Sequence, residues 1–242
     1  MTSIGTLYSY DAQPHSKRIR SVAAIAGLKI ESAQDYVHYK TNKTPEFLAK
    51  FRSGKIPAFE SSDGFCLFEG SAIARYIASL APESGLLGYS PTDAALVDQW
   101  VSFVDHELAS KLSMLVVTLE GRFPYSESAD QALRSRVIRA LKTLNSHLLE
   151  NTFLLPTGQL SLADISFAAV VQGALKTILD AELRSKLPGV VRLYEAVVNH
   201  PVIQPIFGQT KYIEKALEYA VPKGEMSSAA LDPNTGSDPK AI

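Results

Sequence analysis

The sequence predicts an α/β unit over residues 1–83, a linker over 84–91 and an all-helical unit over 92–221. Three observations lead to this prediction. Strand-like and helix-like runs alternate in the first unit, which is typical of α/β layer architectures. The stretch ESGLLGYSP at 83–91 is rich in Gly, Ser and Pro, as connections are. Beyond it, apolar residues recur only at helical spacing.

The first half of the α/β unit predicts the order strand, helix, strand. IGTLYSY at 4–10 reads as a strand, and 16–26 carries apolar residues at helical spacing before Gly27 stops the helix. Lys17, Arg18 and Arg20 are expected on the solvated side of this helix. Residues 28–39 predict a second strand that runs into a loop.

The second half predicts helix, strand, strand, helix. Pro45 in NKTPEF is typical of the first turn of a helix. The pair Asp63-Gly64 is a hairpin-turn signal between two short apolar runs, at 57–60 and 65–68. The last helix is expected to begin at about Gly70 and to end before Pro82.

The helical unit contains amphipathic segments and one segment that is apolar on nearly every side. Apolar side chains step by three or four residues over 96–104 and 133–148. In SLADISFAAVVQGAL, Ser161 and Asp164 have the spacing of a capping box, so this helix is expected at the centre of the unit with both residues acting as caps. Residues 222–242 lack periodicity and are expected to be a disordered tail.

Composition and motifs exclude several classes of function. The chain has 242 residues, 24 Lys and Arg against 25 Asp and Glu, and a net charge of −1, so no basic nucleic-acid surface is expected. The five histidines show no metal-ligand spacing, and no metal site is expected. No phosphate-binding loop, dinucleotide motif or serine-hydrolase elbow occurs.

Cysteine usage and the N-terminus indicate the compartment. A single cysteine, Cys66, excludes an internal disulfide framework and favours a reducing environment. MTSIGTLYSY lacks a basic region followed by an apolar core, and no window reaches 18 uninterrupted apolar residues. A cytoplasmic protein without membrane association is therefore expected.

FEGSAI, where a strand ends and a helix begins, is the first candidate site. Helix N-termini attract anions through their unpaired N–H groups, so those of Gly70 and Ser71 are expected to hold a carboxylate. Glu69 beside them can take an ammonium group, and the combination suits the zwitterionic head of an amino acid. In the alternative interpretation, Glu69 only complements the helix dipole.

GKIPAF is the second candidate site. Pro57 follows Ile56 at the start of a strand, where a residue without an N–H is tolerated. The backbone of Ile56 is then free to make strand-like hydrogen bonds to an extended peptide.

Several spaced motifs carry a family resemblance. GKIPAFE, FEGSAIARYIA and FLLPTGQLSLADI resemble the cytosolic glutathione transferase superfamily. GTLYSY, NKTPEFLAKF, GKIPAFESSDGFCLFEGSAIARYIAS and QWVSFVDHEL are similar to the transferase-like region of the gamma subunit of eukaryotic translation elongation factor one. The resemblance covers about 3–221. It implies a thioredoxin-like N-terminal domain, an all-helical bundle as C-terminal domain, a homodimer, and glutathione held on the first domain.

The resemblance also assigns roles to the two candidate sites. Pro57 would be the family's cis-proline, and Ile56 would offer its N–H and C=O to the cysteinyl part of glutathione. Glu69, Gly70 and Ser71 would hold the γ-glutamyl end. The family commonly has Glu-Ser here, so Gly70 loses a hydroxyl, Ser71 is an imperfect substitute, and weaker binding is expected.

Two lysines and the first helix complete the implied site. Lys55 lies where it can reach the glycine carboxylate, with Lys43 as a second helper. The family positions the group that activates the thiol near the end of the first strand or the start of the first helix. The alternatives here are Tyr8, Ser9, Gln13 and Ser16, while His15 can add charge. Residues 8–16 contain no cysteine, which argues against the subclass with a catalytic cysteine.

Two functions follow from the resemblance. The first is a stand-alone enzyme of detoxification or specialised metabolism that activates glutathione for conjugation, isomerisation or elimination on a small electrophile. The electrophile would lie between the domains, against Phe103, Val104, Glu107 and Lys111. The alternative is a non-catalytic scaffold that docks a translation factor subunit, or a protein that only binds glutathione. The chain ends after a short polar tail, without the Lys-rich linker and further domain of the gamma subunit, which favours the enzyme.

Overall fold

The structure is a computed structural model that describes residues 2–219, so the tail predicted at 222–242 lies outside the described residues. The first unit has the predicted order of strands and helices. Its elements are β1 (Ser3–Tyr8), α1 (Pro14–Ile25), β2 (Lys29–Ser32), α2 (Pro45–Lys50), β3 (Ala58–Ser61), β4 (Cys66–Phe68) and α3 (Gly70–Ser79).

The four strands form one mixed sheet in the order β2-β1-β3-β4. β1 runs parallel to β2 and antiparallel to β3, and β3 runs antiparallel to β4. Adjacent residues of β1 face opposite sides of the sheet. Leu7 belongs to the main core, whereas Tyr8 packs against Phe47 and Phe51 on the side of α2. This is the thioredoxin-like arrangement that the resemblance implies.

The rest of the described chain is helical. Its elements are α4 (Pro91–Phe103), a π-helical segment (Val104–Ala109), α5 (Ser110–Leu119), α6 (Glu127–Glu150), α7 (Leu162–Leu175), α8 (Ala181–Lys186), α9 (Pro188–Val198) and α10 (Gln204–Phe207). No helix within residues 2–219 combines the length and the apolar character needed to cross a bilayer.

α7 lies at the centre of the helical unit, as predicted. All of its residues except Gly173 are buried, and it contacts α1, α4 and α9. Its N-terminus is closed by Asp164, which accepts hydrogen bonds from the N–H of Leu154 (2.8 Å) and from the N–H and hydroxyl of Ser161 (2.8 and 2.6 Å). Because these donors are buried, the capping box stabilises both α7 and the loop before it.

The two units meet along α1, and here one sequence prediction is wrong. Lys17 and Arg18 do not point into solvent, since their exposed fractions are 8% and 0%. The Lys17 ammonium donates to Gln172 Oε1 (2.6 Å) and to the carbonyl of Phe207 (3.2 Å). Arg18 pairs with Asp105. The face of α1 that carries these cations is covered by the helical unit, which the local pattern cannot reveal.

Candidate functional site

One end of the central sheet brings the candidate stretches together. Ala58 lies opposite Tyr8 of β1 and opposite Phe68 of β4. Continuing both registers by one residue sets Ser9, Pro57 and Glu69 side by side, just beyond the strand ends. Segments far apart in the sequence therefore converge at one edge of the first unit.

The Ile56–Pro57 peptide bond is cis, as the resemblance implies. Ile56 lies before β3 begins and is half-buried. Within residues 2–219, its N–H and C=O have no backbone partner. The strand-like hydrogen-bonding groups that the sequence predicts at Ile56 are thus available to a ligand.

Glu69 has an unusual backbone conformation at the start of α3. Its φ of 74° and ψ of 116° are rare for a residue with a side chain. Glu69 is exposed, and no side chain caps the N-terminus of α3. Strained backbone of this kind clusters at ligand sites. The conformation leaves the first N–H groups of α3 without an internal cap.

The start of α1 holds a cluster of buried polar atoms without partners in the described residues. They are Ser9 Oγ, Gln13 Oε1, His15 Nδ1 and Ser16 Oγ. Ser16 is 0% exposed. Gln13 is the N-cap residue of α1, and its side chain makes no capping hydrogen bond. Buried polar side chains are nearly always paired in folded proteins, so these four atoms within eight residues depart from the usual pattern.

Tyr8 does not join this cluster. It belongs to the opposite side of the sheet, where its hydroxyl donates to Glu60 Oε2 at 3.2 Å. Glu60 also accepts from the Lys50 ammonium at 2.7 Å. Burial, followed by the negative charge of Glu60, raises the pKa of Tyr8. Of the four predicted thiol-activating candidates, Tyr8 is thus engaged with Glu60, whereas Ser9, Gln13 and Ser16 each have a side-chain atom without a partner in the described residues.

Ser71 is tied into a network that joins three helical elements. Its hydroxyl accepts from Arg18 Nη1 (2.5 Å) and donates to the carboxylate of Asp105 in the π-helical segment. Arg18 Nη2 lies 2.5 Å from Asp105 Oδ1. Burial by itself would raise the pKa of Asp105, but the hydrogen bonds and charge of Arg18 outweigh it, and the net pKa is lowered. Asp105 is held ionised.

His15 packs directly on the backbone at the start of α3. A Cβ added at Gly70 would lie 2.9 Å from His15 Cβ and 3.0 Å from both Cγ and Nδ1. Burial and then the charge of Arg18 lower the pKa of His15, although Asp105 opposes them. The ring is therefore neutral near pH 7, with one nitrogen carrying a proton.

The two predicted lysines border the site without being fixed in it. Lys43 and Lys55 are both exposed. The segment of Lys55 is held by Asn42, whose side-chain amide donates to the carbonyl of Gly54 at 2.7 Å. Asn42 Oδ1 is buried and has no partner in the described residues. This arrangement provides positive charge near Ile56, as an anionic ligand end requires.

The predicted electrophile residues contact other parts of the molecule. Phe103 packs on Trp100, which in turn contacts His147 of α6. Val104 is fully buried in the core. Both residues lie directly before Asp105, and their role toward an electrophile stays a prediction.

The remaining two predicted electrophile residues, Glu107 and Lys111, form ion pairs. Glu107 lies 3.8 Å from Arg139 of α6, and the Lys111 ammonium lies 3.4 Å from Glu107. In this region the carboxylate of Asp105 pairs with Arg18 of α1. The sequence alone did not identify Asp105. Within residues 2–219 no group of His, Cys, Asp and Glu has the arrangement of a metal site.

Comparison with known families agrees with this geometry. Residues 3–79 match the family model of the N-terminal domain of glutathione S-transferase, and residues 99–196 match that of its C-terminal domain. The chain is 38% identical over 217 residues to the glutathione S-transferase-like protein FUS3 of Gibberella moniliformis, covering 89% of this chain and 97% of that protein.

A second set of relatives is longer. The chain is 35% identical over 231 residues to elongation factor 1-gamma of Rattus norvegicus, covering 94% of this chain but only 52% of that protein. It thus spans about half the length of the elongation factor relatives it matches.

Solved structures share the fold. The GST-like domain of elongation factor 1-gamma from Saccharomyces cerevisiae superposes with a TM-score of 0.78 at 23% identity, covering 91% of this chain and 100% of that one. Glutathione transferase URE2P6 of Phanerochaete chrysosporium, in complex with oxidised glutathione, gives 0.77 at 22% identity, covering 85% and 95%. With both domain models matched and a relative of 38% identity covered almost end to end, the chain belongs to the glutathione S-transferase superfamily.

Proposed function

We propose that this chain is a glutathione-dependent transferase that activates the glutathione thiol toward a small electrophile. The cluster of buried, unpartnered polar atoms at the start of α1 carries this proposal. Buried polar groups without partners cost free energy unless a ligand satisfies them. The similarity to a glutathione S-transferase-like protein over nearly its whole length supports the same conclusion.

Each part of the candidate site has a role in this proposal. The backbone of Ile56 would pair with the cysteinyl residue, and Glu69 would take the γ-glutamyl ammonium. Lys55, with Lys43 beside it, would attract the glycine carboxylate. Glutathione would supply the thiol, and Ser9, Gln13 and Ser16 are the candidates to stabilise its ionised form.

The energetic requirement on the thiol-activating residues is modest. A free thiol has a pKa near 8.5, and lowering it by about two units requires a preferential stabilisation of the thiolate of roughly 3 kcal/mol. One or two hydrogen bonds to a charged sulfur supply that much. The hydroxyls of Ser9 and Ser16 have no hydrogen-bond partner within the described residues.

Calorimetric titration with glutathione, combined with ultraviolet absorbance of bound thiolate, tests the proposal. We expect binding together with a thiolate signal near neutral pH. Ser9→Ala, Gln13→Ala and Ser16→Ala should retain binding, and the variant that removes the activating group should lose the thiolate signal. Ser113→Ala, an exposed serine of α5, is the matched control. Absence of both binding and thiolate in the unaltered protein would rule out the enzyme.

A second candidate function is a scaffold that docks a translation factor subunit. The 35% identity to elongation factor 1-gamma favours it. Capture of a translation factor by a protein that does not bind glutathione would support this alternative. A protein that binds glutathione without lowering the pKa of its thiol would instead be a binding protein.

We also propose that the functional form is a homodimer, as the family resemblance implies. Phe65 and Phe68, around the β3–β4 turn, are 47% and 40% exposed, and Met114 of α5 is 45% exposed. These side chains are our candidates for the dimer interface, since contiguous exposed apolar patches mark interaction surfaces. Light scattering coupled to size exclusion measures the mass directly, and a monomer at micromolar concentration would contradict the proposal.

A further inference from the structure

A cavity on the helical unit shares no residue with the site at the end of the sheet. It lies between α9, α10 and the segment that follows α10, and its volume is about 510 Å³. Cavities of this size hold small molecules. Glu195 is the only charged residue that lines it within the described part of the chain. The other polar side chains of its lining are Asn199, Gln204, Gln209, Thr210 and Tyr212.

The ring of Tyr212 forms one wall of this cavity. Tyr212 also lines a second cavity of about 500 Å³. The Arg184 guanidinium lies 5.3 Å from the centre of the Tyr212 ring, and Arg184 lines the second cavity but not the first. The opposite face of the ring therefore borders the first cavity. Aromatic faces attract cations.

The segment that carries Tyr212 is held on both sides of that residue. Before it, Thr210 Oγ1 lies 2.5 Å from the hydroxyl of Tyr194, a residue that is fully buried. After it, the carbonyl of Ile213 accepts a hydrogen bond from Arg184 Nη1 at 2.5 Å. These contacts hold the wall in place, and largely pre-formed cavities are typical of small-molecule sites.

Glu195 contributes a carboxylate that has no ion-pair partner within residues 2–219. Its side chain accepts one hydrogen bond there, which the hydroxyl of Tyr212 donates to Oε1 at 3.3 Å. Burial, followed by the negative charge of Glu195, raises the pKa of Tyr212 to about 12. Tyr212 is therefore protonated near pH 7, and the charge at the cavity is that of the carboxylate.

The two arginines that line the second cavity are engaged elsewhere. Arg192 donates to three backbone carbonyls around the end of α6, at 2.6, 2.8 and 3.0 Å. Arg184 donates to two backbone carbonyls, at 2.5 and 3.0 Å, and lies 3.6 Å from Glu214. Neither guanidinium pairs with Glu195, so the charge of Glu195 is available to a cationic ligand.

We propose that this cavity binds a primary ammonium group, with the Glu195 carboxylate as its counter-ion. An ammonium group has three N–H donors and no acceptor, and the carboxylate and the side-chain amides of the cavity supply acceptor oxygens. The ring of Tyr212 adds an aromatic face. Val198 and Pro205 also line the cavity and provide apolar contacts for the carbon chain of the ligand. This inference is independent of the proposed binding of glutathione.

An NMR titration of the isotope-labelled full chain near pH 7 tests the proposal. The probes are n-butylamine, which is protonated at this pH, and n-butanol, which has the same carbon chain without a charge. We expect butylamine to cause saturable shifts of the lining residues, with a Kd on the order of 1 mM, and butanol to bind at least about tenfold more weakly. No saturable shift of these residues with butylamine would overturn the proposal.

A pair of charge-removing substitutions tests the role of Glu195. Glu195→Gln keeps the size of the side chain, so butylamine should bind about tenfold more weakly while the binding of butanol changes little. Glu214→Gln is the matched control, because Glu214 is 83% exposed, lies on the same segment as Tyr212 and does not line the cavity. Equal losses in the two variants would show only a general attraction to surface charge and would overturn the site.

Two substitutions of Tyr212 test the role of the ring. Tyr212→Phe keeps the aromatic face, whereas Tyr212→Leu removes it. The measured quantity is the ratio of the dissociation constants of butanol and butylamine, because a general loosening of the cavity weakens both probes. Tyr212→Phe should retain this ratio, and Tyr212→Leu should reduce it about threefold or more. An unchanged ratio in Tyr212→Leu would overturn the role of the ring.

A peptide with one lysine and the small molecule diaminobutane separate two sources of the ammonium group. Tighter binding of the peptide than of butylamine would assign the site to the lysine side chain of a partner protein. Tighter binding of diaminobutane would assign it to a free aliphatic amine. Either result supports an ammonium site at Glu195.

Discussion

The N-termini of α7 and α3 differ in how the backbone N–H groups at the start of the helix are treated. At α7, Asp164 accepts hydrogen bonds from three donors, and the carboxyl is 0% exposed. At α3, Glu69 is exposed, its backbone is strained, and no side chain of residues 2–219 caps the helix. The first N–H groups of any helix lack partners within it. A closed end such as that of α7 stabilises the fold, and an open end such as that of α3 is available to a ligand.

The open end of α3 is held in place by a buried ion pair and its hydrogen bonds, rather than by a capping side chain. Ser71, in the first turn of α3, is connected to α1 and to the π-helical segment through Arg18 and Asp105. π-helical segments often occur at functional sites. We call the buried network of Arg18, Asp105 and Ser71 the anchor. The comparison predicts that substitutions at the closed end or in the anchor lower stability, whereas substitutions at the open end lower affinity.

The largest effect is expected from the anchor. Asp105→Ala leaves the Arg18 guanidinium buried and uncompensated, which should lower the free energy of unfolding by about 3–5 kcal/mol. Urea unfolding followed by fluorescence of the single Trp100 measures it. Asp98→Ala is the matched control, because the Asp98–Arg75 pair likewise joins the two units, from α4 to α3, but is 47% and 42% exposed. The control should cost less than about 1 kcal/mol. Equal losses would show that burial does not set the strength of the anchor.

The closed end should give the next largest loss. Asp164→Ala leaves the buried N–H groups of Leu154 and Ser161 without a hydrogen-bond acceptor. The free energy of unfolding should therefore fall by about 2–4 kcal/mol. Asp180→Ala, at the half-buried N-cap of α8, removes one hydrogen bond to Leu183 and should cost about 1 kcal/mol. Affinity for glutathione in the folded fraction should not change in either variant. A tenfold loss of affinity for glutathione in Asp164→Ala would contradict the proposed difference between the two ends.

The closed end should also make stability depend on pH. Burial raises the pKa of Asp164 from 3.8 to about 6, although its hydrogen bonds oppose the shift. Between these values the folded state keeps a proton that the unfolded state has released, so this contribution to stability falls as pH rises and levels off above pH 6. The contribution is about 3 kcal/mol. Unfolding at several pH values should show the decline in the unaltered protein, and Asp164→Asn should lack that part of it.

The open end should give the smallest effect on stability and a clear effect on binding. Glu69→Ala keeps the same strained backbone and removes only an exposed carboxylate, so the free energy of unfolding should change by less than about 0.5 kcal/mol. Loss of the partner of the ligand ammonium should weaken glutathione binding about tenfold or more. Glu127→Ala, an exposed first-turn acid of α6, is the control. If Glu69→Ala destabilises the fold and leaves the affinity for glutathione unchanged, the only role of Glu69 is to complement the helix dipole.

Local patterns were sufficient for the order of the elements and for several features of the site. The alternation of strand and helix signals, the closed end of α7 and the exposed backbone at Ile56 all depend on residues close together in the sequence. Tyr8 shows the limit of this reasoning. Tyr8 and Ser9 are adjacent in the sequence and were equivalent candidates, but only the sheet with its two faces separates them.

The same limit applies to charge. Lys17 and Arg18 have the spacing of a solvated helix face, yet they are buried because α7 and the π-helical segment cover that face. The partners Gln172 and Asp105 lie 155 and 87 residues away, beyond the reach of any local pattern.

Sequence alone therefore determined the two-unit architecture and the backbone groups offered to a ligand, since propensity, capping and turn chemistry act over a few residues. Tertiary structure decided which polar groups remain free. The hydroxyl of Ser71 is hydrogen-bonded to Arg18 and Asp105, while Nδ1 of His15 has no partner among the described residues. Whether a polar group is satisfied depends on which distant elements pack against it.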